Sequence, residues 1–183
     1  MSFIRVKNIG KNGQNYRYAY LVENKWRKRI KCGKKGSRQK VSKYLGKVLK
    51  LERVSEIEFF DFLKVNDPTE YLKKTKVELI EDLINYELTN IGFKSQNGIL
   101  KKENLLFNIK EKKFVGLKTK ENRVVIEMNE GFFCSYTLRR LVNFRKDNSY
   151  VDEHLVGVEL AKAFLEAGVR VPKEVFIEFF NKI

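Results

Sequence analysis

Apolar and polar positions alternate through the first fifty residues of this chain, and apolar positions recur at helical spacing through much of the rest. Phe3, Ile4, Val6 and Ile9 lead into Gly10-Lys11-Asn12-Gly13, and Asn-Gly is the strongest short signal for a two-residue hairpin turn. From Asn15 to Trp26 the residues Tyr16, Tyr18 and Tyr20 fall on one face, and Arg17, Ala19 and Leu21 on the other. That is the period of a half-buried strand, and it fails only at Leu21-Val22. A glycine-containing basic loop, Lys31 to Gly36, reaches a third run, Ser37 to Val48, in which Arg38, Lys40 and Ser42 alternate with Gln39, Val41 and Lys43. The pattern predicts a three-stranded antiparallel meander over residues 1–50.

Beyond residue 50 the period lengthens. Leu51, Val54, Ile57, Phe59 or Phe60, and Leu63 make one apolar stripe and predict a helix over about 51–65, broken by Asn66-Asp67-Pro68. Asp67 with Pro68 and Glu70, and Thr75 with Glu78, are helix-start signals for one helix or two over about 68–91, with Gly92 as a left-handed cap. Leu105–Ile109, Phe114–Lys118 and Arg123–Met128 are short β-rich runs separated by charged turns, which predict a second small meander over about 105–128. Helices are expected again over about 136–146, 152–167 and 172–182, the second stopped at Gly168 and the third opened by Pro172. The fold class is therefore α+β, with a β-rich module at 1–50 and a mixed, mainly helical body at 51–183.

Charge sharpens that division. Residues 1–50 hold sixteen Lys and Arg against one acid, Glu23, which accounts for the whole formal charge of +15; residues 51–183 sum to zero. Twelve basic residues and no acid lie between Lys25 and Lys50, and such self-repulsion costs stability unless a polyanion relieves it. The chain's 183 residues suffice for a core without disulfides or metals, and Cys32 and Cys134 fit reduced thiols. No apolar run approaches a membrane span and the first residues lack a signal peptide's apolar stretch, so a soluble cytoplasmic protein that touches no membrane is expected.

Basic residues alternating with aromatics on a sheet are what phosphate neutralisation plus base stacking requires. Arg17, Lys25, Arg27, Lys28, Arg29, Lys34, Lys35, Arg38, Lys40 and Lys43 are the phosphate candidates; Tyr16, Tyr18, Tyr20, Trp26 and Tyr44 supply either stacking or the packing of the sheet. Two other chemistries have a footing. Asp147, Asp152, Glu153 and the sole histidine, His154, lie within eight residues, as a metal-dependent nuclease would need. The competing assignment makes Asp152 an N-cap, Glu153 a first-turn residue and His154 a surface residue, and the spacing favours it. Phe176, Phe179, Phe180 and Ile183 cover most of a terminal helix, which is either buried or docks a protein partner or a second copy. Gly33-Lys34-Lys35-Gly36-Ser37 lacks the spacing of a phosphate-binding loop, and Cys134 has no catalytic partner within the pattern. No catalytic residue, metal ligand or cofactor is assigned.

Three segments, Phe3-Ile4-Arg5-Val6-Lys7, Tyr18-Ala19-Tyr20-Leu21-Val22-Glu23 and Arg38-Gln39-Lys40-Val41-Ser42-Lys43-Tyr44-Leu45-Gly46-Lys47-Val48, resemble the N-terminal segment of certain insertion-sequence transposases and the opening of small uncharacterised archaeal proteins. The resemblance covers about 50 of the 183 residues and implies a β-rich module suited to nucleic acid. In transposases that segment precedes a longer RNase H-like catalytic domain with three separated carboxylates, a triad the neutral body here does not present. The expectation is a non-catalytic protein that binds DNA or structured RNA, the ribosome included, through residues 1–50.

Overall fold

A computed structural model describes residues 2–11, 13–27, 36–65, 67–115, 123–146 and 152–183 of the chain. It is α+β, as the periodicities predict, and divides into two compact units: residues 1–49 with 123–125, and residues 50–122 with 126–183.

The first unit is built on strands β1 (Ser2–Lys11), β2 (Gln14–Arg27) and β3 (Gly36–Lys50), paired antiparallel in chain order. The β1–β2 register runs from Ser2 opposite Glu23 to Lys11 opposite Gln14, so the turn is the two-residue one that Asn12-Gly13 predicts. Gly13 takes the left-handed backbone (φ 74°) that such a turn demands. The β2–β3 ladder runs from Tyr18 opposite Lys47 to Arg27 opposite Gly36 and is interrupted by bulges at Ala19/Tyr20 and Leu21/Val22. The extra residues, Leu45 and Ser42, lie on β3, while β2 alternates without interruption against β1 through Leu21-Val22. Residues 123–125 lie beside β3, with the Lys47 amide donating to the Arg123 carbonyl at 3.2 Å. Among the described residues, Ala19, Val22, Leu45, Val48, Val124 and Val125 are the buried apolar ones of this unit.

The second unit begins differently from the expected helix at 51–65. Residues 51–58 are irregular, and only α1 (Phe59–Leu63) is helical. The reason is competition for backbone partners: the amides of Val54 and Ser55 both donate to the Asn90 carbonyl (2.8 and 3.2 Å), and the Ile57 amide donates to Asn90 Oδ1 at 3.3 Å. Val54 and Ile57, members of the apparent stripe, are exposed. Of the one or two helices expected over 68–91 there are two, α2 (Pro68–Tyr71), capped by Asp67, and α3 (Lys76–Asn90), opened by a reciprocal Thr75–Glu78 capping box. The amides of Gly92 and Phe93 close the end of α3 on the carbonyls of Thr89 and Leu88. Asn66 lies outside the described residues.

The expected second meander is redrawn. Four strands, β4 (Lys94–Gln96), β5 (Ile99–Lys102), β6 (Leu105–Asn108) and β7 (Lys113–Val115), pair in chain order. The first two are short and carry three lysines, too polar to announce themselves as strands. The third expected run, β8 (Val124–Met128), is no part of that sheet; it pairs with β9 (Gly131–Phe133) through Ile126 opposite Phe133, and residues 116–122 lie outside the described residues. Helices α4 (Ser135–Val142), α5 (Glu153–Ala167) and α6 (Lys173–Asn181) complete the unit; α4 ends four residues before the expected 146. The core joins Leu79, Leu83, Ile84 and Leu88 of α3 to Leu100, Phe107, Phe133, Leu138, Leu160 and Phe179. Among the described residues no helix is long and apolar enough to cross a membrane.

The α3 box gives a simple stability test. The Thr75 amide and hydroxyl both donate to Glu78 Oε2 (2.8 and 2.6 Å), and these bonds hold the Glu78 carboxyl below its ordinary value of 4.5. A group lowered in the folded state stabilises above its unfolded pKa and loses that contribution as the pH falls through the folded one. Thr75→Ala is expected to cost about 1 kcal/mol in urea unfolding at pH 7. The difference from the wild type should shrink on acidification below the ordinary glutamate range.

Candidate nucleic-acid interface

The registers of β1, β2 and β3 sort the charged and aromatic residues of the first unit onto two faces. Because side chains alternate, residues paired across a ladder share a face. Tyr16, Tyr18 and Tyr20 of β2 stand opposite Ile9, Lys7 and Arg5 of β1. On the other side Tyr18 faces Lys47, and Tyr20 faces Tyr44. One face therefore carries four tyrosines with Arg5, Lys7 and Lys47, and Arg5 donates to Gln39 of the same face. The other face carries Ile4, Val6, Ala19 and Leu21, then Glu23 and Lys25 of β2 opposite Lys40 and Arg38 of β3, with Lys43 opposite Leu21.

This arrangement decides what the tyrosines are. The fully buried Ala19 belongs to the face with Ile4, Val6 and Leu21, so the tyrosines do not make that core; the buried Val22 registers with Phe3 and Val41 on the tyrosine face, next to Tyr20 along β2. They form a ladder of half-buried rings: Tyr16 to Tyr18, Tyr18 to Tyr44 and Tyr44 to Tyr20, with centroids 6.5, 6.2 and 5.4 Å apart and planes tilted by 37–52°. Lys7 Nζ sits 5.3 Å from the Tyr20 ring centre and Lys47 Nζ 5.0 Å from that of Tyr16, within the range of cation–π attraction. Trp26, further along β2, is 69% exposed.

Beyond Ser2, which pairs with Glu23, β1 ends, and Asn24–Arg27 continue with Gly36–Gln39 as a two-stranded ribbon. Lys25 lies directly opposite Arg38, and its ammonium reaches back to Glu23 at 3.5 Å. Lys25, Arg38, Lys40 and Lys43 are all exposed, and Arg17 is half-buried. Lys28, Arg29, Lys34 and Lys35 lie outside the described residues, as do Cys32 and the side chain of Arg27. The ten cations singled out from the sequence thus do not share a surface with the tyrosines where both are described. Among the described side chains the cations beside the tyrosines are Arg5, Lys7 and Lys47, which sequence reasoning missed. A signal for two of them was present: a two-residue turn at 12–13 makes every β1 residue pair with the β2 residue whose number brings the sum to 25. Arg5 and Lys7 then have to face Tyr20 and Tyr18.

Gly46 fixes the geometry of β3 behind the ladder. Its backbone has φ 146°, and a Cβ there would stand 2.5 Å from the Arg123 carbonyl oxygen and 2.7 Å from its carbon. Backbone cannot retreat as a flexible side chain can, so Gly46→Ala is expected to destabilise the unit by about 1–3 kcal/mol. Gly36→Ala, where the added methyl meets nothing within 4 Å, is the control, and thermal melting compares the two.

The other two sets of sequence candidates occupy the second unit. Asp152 caps α5, its Oδ1 accepting from the His154 amide at 3.0 Å; Glu153 pairs with Lys146 at 3.2 Å; and His154 is exposed in the first turn. Asp147 lies outside the described residues, and among the described residues no three His, Cys, Asp or Glu side chains converge as metal ligands. In α6, Phe179 is fully buried and meets Phe164 edge-on at 5.3 Å, while Phe176 and Phe180 are half-buried. Phe179 is core, not a free docking residue. Cys134 is buried at the start of α4, with Thr137 Oγ1 at 3.6 Å from its sulfur. Neither a protein-family model, nor a curated protein, nor a solved structure matches this chain.

Proposed function

We propose that the chain is a nucleic-acid-binding protein that works through its N-terminal β-unit and is not itself an enzyme. The observation that carries this reading is the combination of sequence and register: sixteen basic residues stand against one acid in residues 1–50, and those described as exposed lie on both faces of one sheet and along its two-stranded ribbon. A solvated face needs only scattered charge of both signs for solubility. A single-sign field of this density is self-repelling, and condensed phosphates relieve it while releasing counterions. The tyrosine ladder and the exposed Trp26 add apolar contact for sugars and bases, and the first fifty residues resemble a segment that precedes transposase catalytic domains.

The reading is tested by titrating the intact chain with labelled duplex DNA and structured RNA over a salt series. Affinity is expected to fall steeply, with a log–log slope of about −5 to −8. Absence of binding to both at the lowest salt would overturn it.

A further inference from the structure

We infer that the tyrosine face takes single-stranded nucleic acid, with unpaired bases stacked on the rings of Tyr16, Tyr18, Tyr44 and Tyr20 and the flanking phosphates held by Arg5, Lys7 and Lys47. The inference rests on the nucleic-acid reading above and adds strandedness to one of its two faces. Three observations carry it.

The first is ring spacing. In a duplex the bases of each strand are stacked at about 3.4 Å, so their faces are closed to any side chain except at the ends. Rings lying on a sheet can stack only on bases that have come out of such a stack. The ladder's centroid steps of 6.5, 6.2 and 5.4 Å are well beyond the duplex rise, and its tilts of 37–52° keep the rings from closing each other's faces as parallel stacking would. They suit a strand whose successive bases are pulled apart, one per ring.

The second is charge. By register the face comprises Phe3, Arg5, Lys7 and Ile9 of β1, the even-numbered residues of β2, and their β3 partners Lys47, Tyr44, Val41, Gln39 and Ser37, with no acid among them. Glu23, the only acid of residues 1–50, registers on the opposite face. A phosphate chain lying along the tyrosines meets positive charge alone.

The third is the coupling of ring and cation. Lys7 and Lys47 hold their ammonium groups 5.3 and 5.0 Å from ring centres at the two ends of the ladder. Ring and ammonium are already together in the free protein, so one nucleotide can engage both, its base on the ring and its phosphate on the lysine. The opposite face offers Lys25, Arg38, Lys40 and Lys43 with no described aromatic side chain between them, which suits phosphates of either strandedness.

The experiment is an anisotropy titration of the intact chain, over one common salt series, with three labelled probes: a 12-nucleotide unstructured DNA strand, the RNA strand of the same sequence, and the corresponding DNA duplex. At least one single strand is expected to bind about tenfold or more tightly than the duplex, and the tighter of the two names the sugar. Tyr18→Leu and Tyr44→Leu are expected to weaken single-strand binding by on the order of 5- to 150-fold each and to weaken duplex binding by much less. Tyr18→Phe and Tyr44→Phe keep the ring and should bind the single strand as the wild type does. Lys7→Gln and Lys47→Gln, at exposed positions, should each lower the single-strand salt slope by about 0.7. The phenylalanine and glutamine variants carry the test if a leucine variant fails to fold, which thermal melting reports. Duplex binding as tight as the single strand, leucine variants without effect, or phenylalanine variants as damaging as leucine would overturn the stacking inference while leaving the nucleic-acid reading intact. Absence of binding to all three probes at low salt would overturn the inference, and absence of binding to structured RNA as well would overturn both.

Discussion

Glu87→Ala should lower the stability of the second unit by about 3–5 kcal/mol, a fall of roughly 10 °C in its melting temperature. Glu87 lies on the buried side of α3 and is wholly inaccessible to solvent. Its Oε2 accepts from Arg53 Nη2 at 3.1 Å and Asn129 Nδ2 at 2.8 Å, and its Oε1 accepts from the Arg170 backbone amide at 2.9 Å. One carboxylate thus joins the irregular segment 51–58, the β8–β9 turn and the link between α5 and α6. Removing it leaves the Arg53 guanidinium, whose side chain is only 14% exposed, without its counter-charge, and leaves the Arg170 amide without its acceptor. Glu87→Gln retains an acceptor for one donor and should recover part of the loss. Urea unfolding of the two variants distinguishes this from a surface effect, because an exposed ion pair such as Lys162–Glu159 is worth less than about 1 kcal/mol.

The second large effect falls on binding. Replacing Lys25, Arg38, Lys40 and Lys43 together by Gln should lower the magnitude of the duplex salt slope by about three to four, at about 0.9 per phosphate contact. Between 50 and 200 mM salt that difference amounts to on the order of 100-fold in affinity. The same variant should be at least as stable as the wild type. Lys25 and Arg38 stand directly opposite each other on neighbouring strands, and like charges so placed are destabilising. Weaker binding by a better-folded protein separates lost contacts from lost structure. A slope unchanged within one unit would remove these four residues from the interface.

How much of this was legible in the sequence depends on whether the signal was local. The hairpin at 12–13 was, because Asn-Gly and a two-residue loop fix both turn and register. The caps of α3 and α5 were, because Thr75, Glu78 and Asp152 act within three residues of themselves. What stayed hidden was set by distant partners. Residues 51–58 carry a helical stripe, but the amides of Val54 and Ser55 are taken by Asn90, some 35 positions later in the chain. The β8 strand reads as a neighbour of β6 and β7, yet its first residues add to the N-terminal sheet.

The site divides in the same way. Which cations exist is plain from composition, but which share a face with the tyrosines depends on parity across two ladders. The β1–β2 ladder is uninterrupted, so the neighbours Arg5 and Lys7 follow from the turn. Across β2–β3 the sum of paired residue numbers rises from 63 at Arg27 opposite Gly36 to 65 at Tyr18 opposite Lys47, one step at each bulge. The two steps together restore the original face, and nothing in the residues of β3 announces both. Lys47 beside Tyr18 was therefore not readable, and a bulge-free count pairs Tyr18 with Leu45 instead.

The central claim is that nucleic acid is held by the first unit, and lysine-modification footprinting of the intact chain reads it most directly. Lysines are acylated with and without saturating nucleic acid, and their protection is measured by mass spectrometry. Protection is expected at Lys7, Lys25, Lys40, Lys43 and Lys47, all exposed on the N-terminal sheet, with Lys73, Lys94, Lys162 and Lys173 of the second unit unchanged. Protection confined to the second unit, or none at saturation, would contradict the account.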